Sequence, residues 1–127
     1  MSDESELEIT EPMLLIRINQ LYEPAMTPHE LYDCTRGVWA VGPRRAGAKY
    51  ALAIFHGEVL EVYEIEKWHP AGTTSYESRE IDLKRYGGRW EFTGVVARED
   101  VRSKYVGEWV AHYFKRGEAN PVKYINC

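Results

Sequence analysis

Arg36, Arg44, Arg45 and Lys49 fall within one short stretch, Thr35 to Tyr50 (TRGVWAVGPRRAGAKY), together with the indole of Trp39 and without an acid. Two arginines after a Gly42-Pro43 turn can fork onto phosphate oxygens or onto a guanine edge. An indole beside them can stack on a base. A second group runs from Trp68 to Tyr76 and sets two large aromatics around Thr73, Thr74 and Ser75. Such a loop can hold a flat heterocycle between rings and bond its polar edge. A third, Lys84-Arg85-Tyr86-Gly87-Gly88-Arg89-Trp90, interleaves cations with aromatics and glycines, a composition suited to a nucleic-acid backbone. Base-pocket candidates are therefore Trp39, Trp68, Thr73, Thr74, Ser75 and Tyr76; phosphate-binding candidates are Arg36, Arg44, Arg45, Lys49, Lys84, Arg85 and Arg89. Each group has a plainer alternative. The cations can serve solubility or pair with strand glutamates, Trp68 can plug the end of a barrel, and Gly87-Gly88 can be a hairpin turn.

Other chemistries lack their signatures. The chain has no Walker-type phosphate cradle and no dinucleotide fingerprint. It has no Cys-x-x-Cys pair, and its four histidines (His29, His56, His69, His112) show no metal-ligand spacing. Its serines lack a nucleophile-elbow context. Neither a metal nor a cofactor is expected. A small enzyme acting on a nucleoside or modified base stays open as an alternative, with Glu61, Glu64 or His69 for proton transfer. So does a protein-interaction domain with Trp39 and Trp68 as hot spots.

The elements that must position these groups are mostly strands. Met13 to Asn19 is a short β-branched apolar run. Thr27-Pro28-His29-Glu30 reads as a capping box with proline at the first helical position, opening a helix to about Thr35–Arg36. Gly37 is expected to take a left-handed exit. Tyr50–Phe55 and Glu58–Glu66 flank His56-Gly57, a hairpin signal. In the second strand Val59, Glu61 and Tyr63 alternate with Leu60, Val62 and Glu64, which places it inside a sheet. Residues 67–88 carry no long periodic segment and read as a functional loop. Arg89–Ala97 is a strand with Phe92, Val95 and Val96 as candidate core. Glu99–Phe114 has helical spacing at Val101, Tyr105, Trp109 and Tyr113, broken near Gly107. Val122–Ile125 is a last strand. The fold class is α+β: a mainly antiparallel, partly closed β-barrel with two or three short helices.

The chain has 127 residues, the length of one domain, and 13% aromatics. No apolar run approaches the roughly 20 residues that span a bilayer, and no signal-peptide pattern opens the chain, so a cytoplasmic location and no membrane partner are expected. Cys34 and Cys127 are expected to stay reduced there. The net charge of −4 is unevenly spread. Residues 1–11 hold five acids and no base, whereas residues 36–127 hold 15 Lys and Arg against 12 Asp and Glu. The expected organisation is an acidic, disordered leader over 1–11 and a single mildly basic domain over 12–127. The leader is either a solvated tail or a flap competing for a basic site.

From Leu31 to the Trp68 loop the chain resembles the PUA-like superfamily, which includes EVE, YTH, ASCH and SRA-type domains. The matching features are a helix ending in Thr35-Arg36-Gly37, then Val38-Trp39, a basic loop at Arg44-Arg45, and the hairpin Tyr50–Phe55/Glu58–Ile65 followed by Trp68. The resemblance implies a compact mixed barrel that binds DNA or RNA, including a flipped or modified base in an aromatic pocket. It also implies a nuclease or modification enzyme as protein partner. Trp39, Trp68 and Tyr76 match the pocket by position, and Arg44, Arg45 and Lys49 the backbone contacts. The paired tryptophans of the YTH cage and the lysine–glutamate arrangement of hydrolytic ASCH domains have no counterpart, which weighs against catalysis. The expected function is a nucleic-acid-binding module.

Overall fold

The computed structural model describes residues 7–77, 79–82, 84 and 87–127. Two runs of apolar side chains, MLLIR and YALAIF, form β1 (Met13–Arg17) and β2 (Tyr50–Phe55). They lie side by side in parallel, Met13 opposite Tyr50 and Arg17 opposite Ile54. Near-continuous apolar strands suit a position buried on both faces. β3 (Glu58–Pro70), β4 (Trp90–Val96) and β5 (Val122–Ile125) complete a mixed sheet in the order β4-β3-β2-β1-β5, with β4 and β5 as its edges. Every pairing except β1–β2 is antiparallel. The sheet is thus mainly antiparallel, as expected, with one parallel pair: β1 reaches β2 by way of α1 (Pro28–Thr35).

Met13, Leu15, Leu52, Ile54 and Val62 face α2 (Glu99–Tyr105) and bury Val101 and Tyr105. Leu14, Ile16, Ala51, Ala53 and Tyr63 face α1 and bury Cys34, Trp39 and Phe92. The sheet is thus covered on both sides. Strict alternation along β3 fails because the β2–β3 register slips between Ala53 and Ile54, leaving Leu60 as the extra residue of a bulge. Val59 and Val62 consequently share a face while Tyr63 turns to the other. The hairpin turn is as expected, with His56 (φ 48°) and Gly57 (φ 90°) both left-handed.

The capping box forms as read: Thr27 Oγ1 accepts from Glu30 N (3.2 Å), and Glu30 Oε1 accepts from Thr27 N (2.9 Å). The exit does not. Arg36 caps the helix at φ −79°, and Gly37 is not left-handed. What requires glycine there is space, since a Cβ would overlap the Tyr76 hydroxyl and the Glu91 side chain. The following residues cover the outer edge of β4: Trp39 and Trp90 exchange two main-chain bonds of 2.9 Å, and Phe92 N donates to Arg36 O. Tyr32 OH accepts from Gly94 N at 3.0 Å, and beyond that point Val95 and Val96 are half exposed rather than core.

β3 runs to Pro70, so Trp68 lies on a strand and the long connection begins only at Ala71. α2 stops at Tyr105 because Gly107 (φ 87°) turns the chain back onto the hairpin. Gly107 N donates to Val59 O (2.8 Å) and Val110 N to Gly57 O (2.8 Å). Trp109, expected on a helix face, is instead 61% exposed and lies across Gly57. Residues 7–11 are not a detached leader: Ile9 is buried, and Glu11 pairs with Lys104 and bonds the Tyr105 hydroxyl. Both cysteines are unbridged. No helix among the described residues is long and apolar enough to cross a membrane.

Candidate anion-binding cleft

The connection from β3 to β4 is held by charge. Glu91, 0% exposed on β4, accepts hydrogen bonds from Gly72 N (2.8 Å), Thr74 N (2.8 Å), the Thr74 hydroxyl and the Tyr76 hydroxyl (3.0 Å). Burial pushes this carboxyl up, but the Thr74 side chain, the two amides and Tyr76 outweigh it and hold the pKa below the ordinary value. Burial pushes the Tyr76 phenol up, which keeps it a donor.

Arg36, 2% exposed, lies against the same loop. Its Nη1 donates to Thr74 Oγ1 (2.8 Å) and Phe92 O (3.2 Å), and its Nη2 to Ser75 O (2.5 Å). Its guanidinium stacks 3.8 Å over the Tyr76 ring, and its Nε faces the buried Asp33 at 3.5 Å. Arg36, Thr74, Ser75, Tyr76 and Glu91 thus form one closed internal clamp. Among the described residues it leaves no buried side-chain polar atom without a partner. Three of the sequence candidates, Arg36, Thr74 and Tyr76, therefore serve the fold through their side chains, and Ser75 through its carbonyl alone, its side chain being exposed. The remaining candidate in that loop, Thr73, donates its hydroxyl to Pro70 O at 2.6 Å and is exposed.

The clamp delivers Arg79, whose Nη1 donates to Gly37 O (2.5 Å) and Asp33 O (3.3 Å). Arg79 enters a cleft of roughly 520 Å³ that Arg17, Trp39, Arg89, Glu118 and Pro121 also line. Arg17 ends β1, donates to Glu118 O (2.8 Å) and Asn120 O (2.6 Å), and lies 4.2 Å over the Phe114 ring. Trp39, 7% exposed, donates from Nε1 to Thr35 O (2.8 Å). The one acid among the described residues of this lining, Glu118, accepts from Lys115 N (2.8 Å) and pairs with Lys123 Nζ (3.0 Å), and these hold its pKa low. Arg17 and Arg79 are thus oriented by main-chain oxygens, which fix a guanidinium without cancelling its charge.

The basic loop lies elsewhere. Pro43–Gly47 forms a 3₁₀ turn. On it, Arg45 stacks 3.5 Å over the Trp90 ring, and its carbonyl accepts from Trp68 Nε1 at 3.1 Å. Trp68, half-buried, meets Phe92 edge-on with ring centroids 5.4 Å apart. Arg44 lies 4.5 Å over Tyr124 and donates from Nε to Cys127 O (2.8 Å). Lys49 is exposed beside the Tyr50 ring. Lys84 is exposed, with its amide bonded to Asp82; Arg85 lies outside the described residues.

Of the residues singled out in the sequence, the cleft gathers, among the described residues, only Trp39 and Arg89. Arg17 and Arg79 were missed. Nothing local marked either: Arg17 matters because it closes a strand that proves to be parallel to its neighbour, and ligands gather at the carboxyl ends of such strands. The candidates for proton transfer lie outside the cleft. Glu61 is forked by Arg102 (2.7 and 3.1 Å), and His69 Nε2 is 3.0 Å from Thr93 Oγ1. No family model, no curated protein and no solved structure matches the chain.

Proposed function

We propose that this protein is a nucleic-acid-binding module whose cleft takes a phosphate-bearing nucleotide, including an unpaired, flipped or modified base. The observation that carries this reading is the meeting of three arginines, Arg17, Arg79 and Arg89, from distant parts of the chain at one cleft beside Trp39. Guanidinium groups are the side chains best matched to phosphate oxygens. A volume of roughly 520 Å³ lies within the usual range for small-ligand sites, about 300–1,000 Å³. Duplex is far wider than such a cleft, so an unpaired nucleotide is the form that enters.

The likeness of residues 31–68 to PUA-like domains belongs to the same proposal, as does a partly closed barrel. The cleft draws its lining from the carboxyl end of β1 and the segment leading into β5 on one side and from Val38, Trp39 and Arg89 beside β4 on the other, where such a barrel would have its gap. A nuclease or modification enzyme would be the protein partner.

The test is fluorescence anisotropy with labelled single-stranded DNA, single-stranded RNA and duplex at low salt. Arg79→Gln and Arg89→Gln should each weaken binding about tenfold or more, as expected for a charged hydrogen bond. Absence of binding to all three probes, or indifference to both substitutions, refutes the proposal. Turnover of a modified nucleoside by the purified protein would replace it with the enzymatic reading.

A further inference from the structure

The 3₁₀ turn Pro43–Gly47 and the lysine that follows it carry cations whose surroundings differ from those of the ion-paired cations on the molecule. Arg98 pairs with Asp100, Arg102 with Glu61 and Glu99, Lys104 with Glu11, and Lys123 with Glu118. Among the described residues, Arg44, Arg45 and Lys49 have no carboxylate side chain within ion-pair distance, although the chain carries a net charge of −4.

The two arginines are nevertheless held. Each lays one face of its guanidinium on a ring, Arg45 on Trp90 at 3.5 Å and Arg44 on Tyr124 at 4.5 Å. Each is also tied by one hydrogen bond, Arg44 Nε to Cys127 O and Arg45 Nη1 to Gly42 O (2.9 Å). Both Nη groups of Arg44, and Nε and Nη2 of Arg45, have no partner among the described residues. A stacked, tethered guanidinium with bare N–H edges loses little side-chain freedom on meeting an oxyanion.

Position adds the second half of the argument. Trp90 carries Arg45 on its ring and bonds Trp39 through its main chain, and Trp39 lines the cleft. The basic ledge formed by Arg44 and Arg45 and the cleft therefore adjoin one tryptophan pair, the ledge by way of Arg45.

We propose that Arg44 and Arg45 form a second phosphate site, which holds neighbouring phosphodiesters of the same single strand whose nucleotide occupies the cleft. This rests on the nucleic-acid reading above and narrows its substrate to a single strand longer than one nucleotide.

The experiment compares the full chain with R44Q and R44Q/R45Q. Each is titrated with a labelled single-stranded decamer across a salt series, and with a nucleoside 5′-monophosphate. Each phosphate contact on a single strand contributes about 0.7 to the slope of log K against log salt. The double variant should therefore lose about 1.4 of that slope, and R44Q, whose exposed side chain can change without touching the core, about 0.7. Monophosphate affinity should be unchanged in both. Equal decamer slopes in all three proteins, or monophosphate affinity that falls in step with decamer affinity, would overturn the ledge while leaving the cleft intact. If the unmutated chain binds neither probe at low salt, the nucleic-acid reading fails and takes the ledge with it.

Discussion

Replacing Glu91 tests whether the clamp is the hub of this fold. In Glu91→Ala, four donors lose their acceptor at once: Gly72 N, Thr74 N, the Thr74 hydroxyl and the Tyr76 hydroxyl. Arg36, bridged to Glu91 through Thr74 Oγ1, also loses one of its two nearby negative charges and keeps Asp33 at 3.5 Å. One unsatisfied buried donor costs about 1–3 kcal/mol. Removing one partner of a buried ionic group costs about 3–5 kcal/mol, and the terms are not additive because the loop can relax and admit water. An expected loss of about 3–5 kcal/mol is a large share of the roughly 5–15 kcal/mol that holds an ordinary domain together. Glu91→Gln keeps the shape but turns an NH₂ toward donors, for an expected loss of about 1–3 kcal/mol. The assay is urea unfolding followed by tryptophan fluorescence, with an unchanged m-value as the check that the unfolded state is the same. The sign of the pH dependence follows from the depressed pKa of Glu91 in the fold. Its contribution is fully present above the unfolded carboxylate value and is lost as pH falls through the lower folded value. Glu91→Gln should therefore flatten the acid limb of the stability curve. Should both variants unfold within about 0.5 kcal/mol of the parent, the ordinary range for an inconsequential surface change, the clamp is not what orders this loop.

Two further substitutions or probes follow. Gly57→Ala should destabilise by more than about 1 kcal/mol in the same urea assay, because φ is 90° there and the new methyl would press on the Trp109 indole at 2.6 Å. Thiol labelling at pH 8 should modify Cys127 well before Cys34; Cys34 is buried in the core, and burial pushes its pKa up to about 11. Equal labelling rates in the folded protein would contradict that placement.

The elements that the sequence declared most clearly were those governed by neighbours in the chain. Thr27, Pro28 and Glu30 specify a helix start within four residues, and His56-Gly57 a turn within two, so both were legible. Failures came where distant segments decide. The bulge at Leu60 depends on pairing with Ala53 and Ile54, and the early end of α2 depends on Gly107 and Glu108 bonding Val59. Parallel pairing of β1 with β2 leaves no local trace beyond the unbroken apolar runs. The arginines divided for the same reason. Arg36 looked like a surface cation at a helix end, and only the loop returning 38 residues later, with Thr74 and Ser75, makes it interior. Arg17 and Arg79 looked like scattered charges until the fold brought them to one cleft.

Burying Glu91, Asp33 and Arg36 in so small a domain needs a reason other than stability, because apolar side chains of similar volume often serve as well or better. An apolar plug would fill the space under the loop but would not set its register. Four directed bonds to Glu91 fix Gly72, Thr74 and Tyr76 individually, and Asp33 Oδ2 fixes Glu77 N at 3.0 Å. The chain is thereby pinned up to two residues before Arg79, whose guanidinium meets Gly37 O at a place where a side chain on residue 37 would collide with Tyr76 and Glu91. Trp39 follows two residues later at the cleft wall. Clamp and cleft are therefore one mechanical unit joined at Gly37, and the ionic groups inside the first determine where the cations of the second can stand.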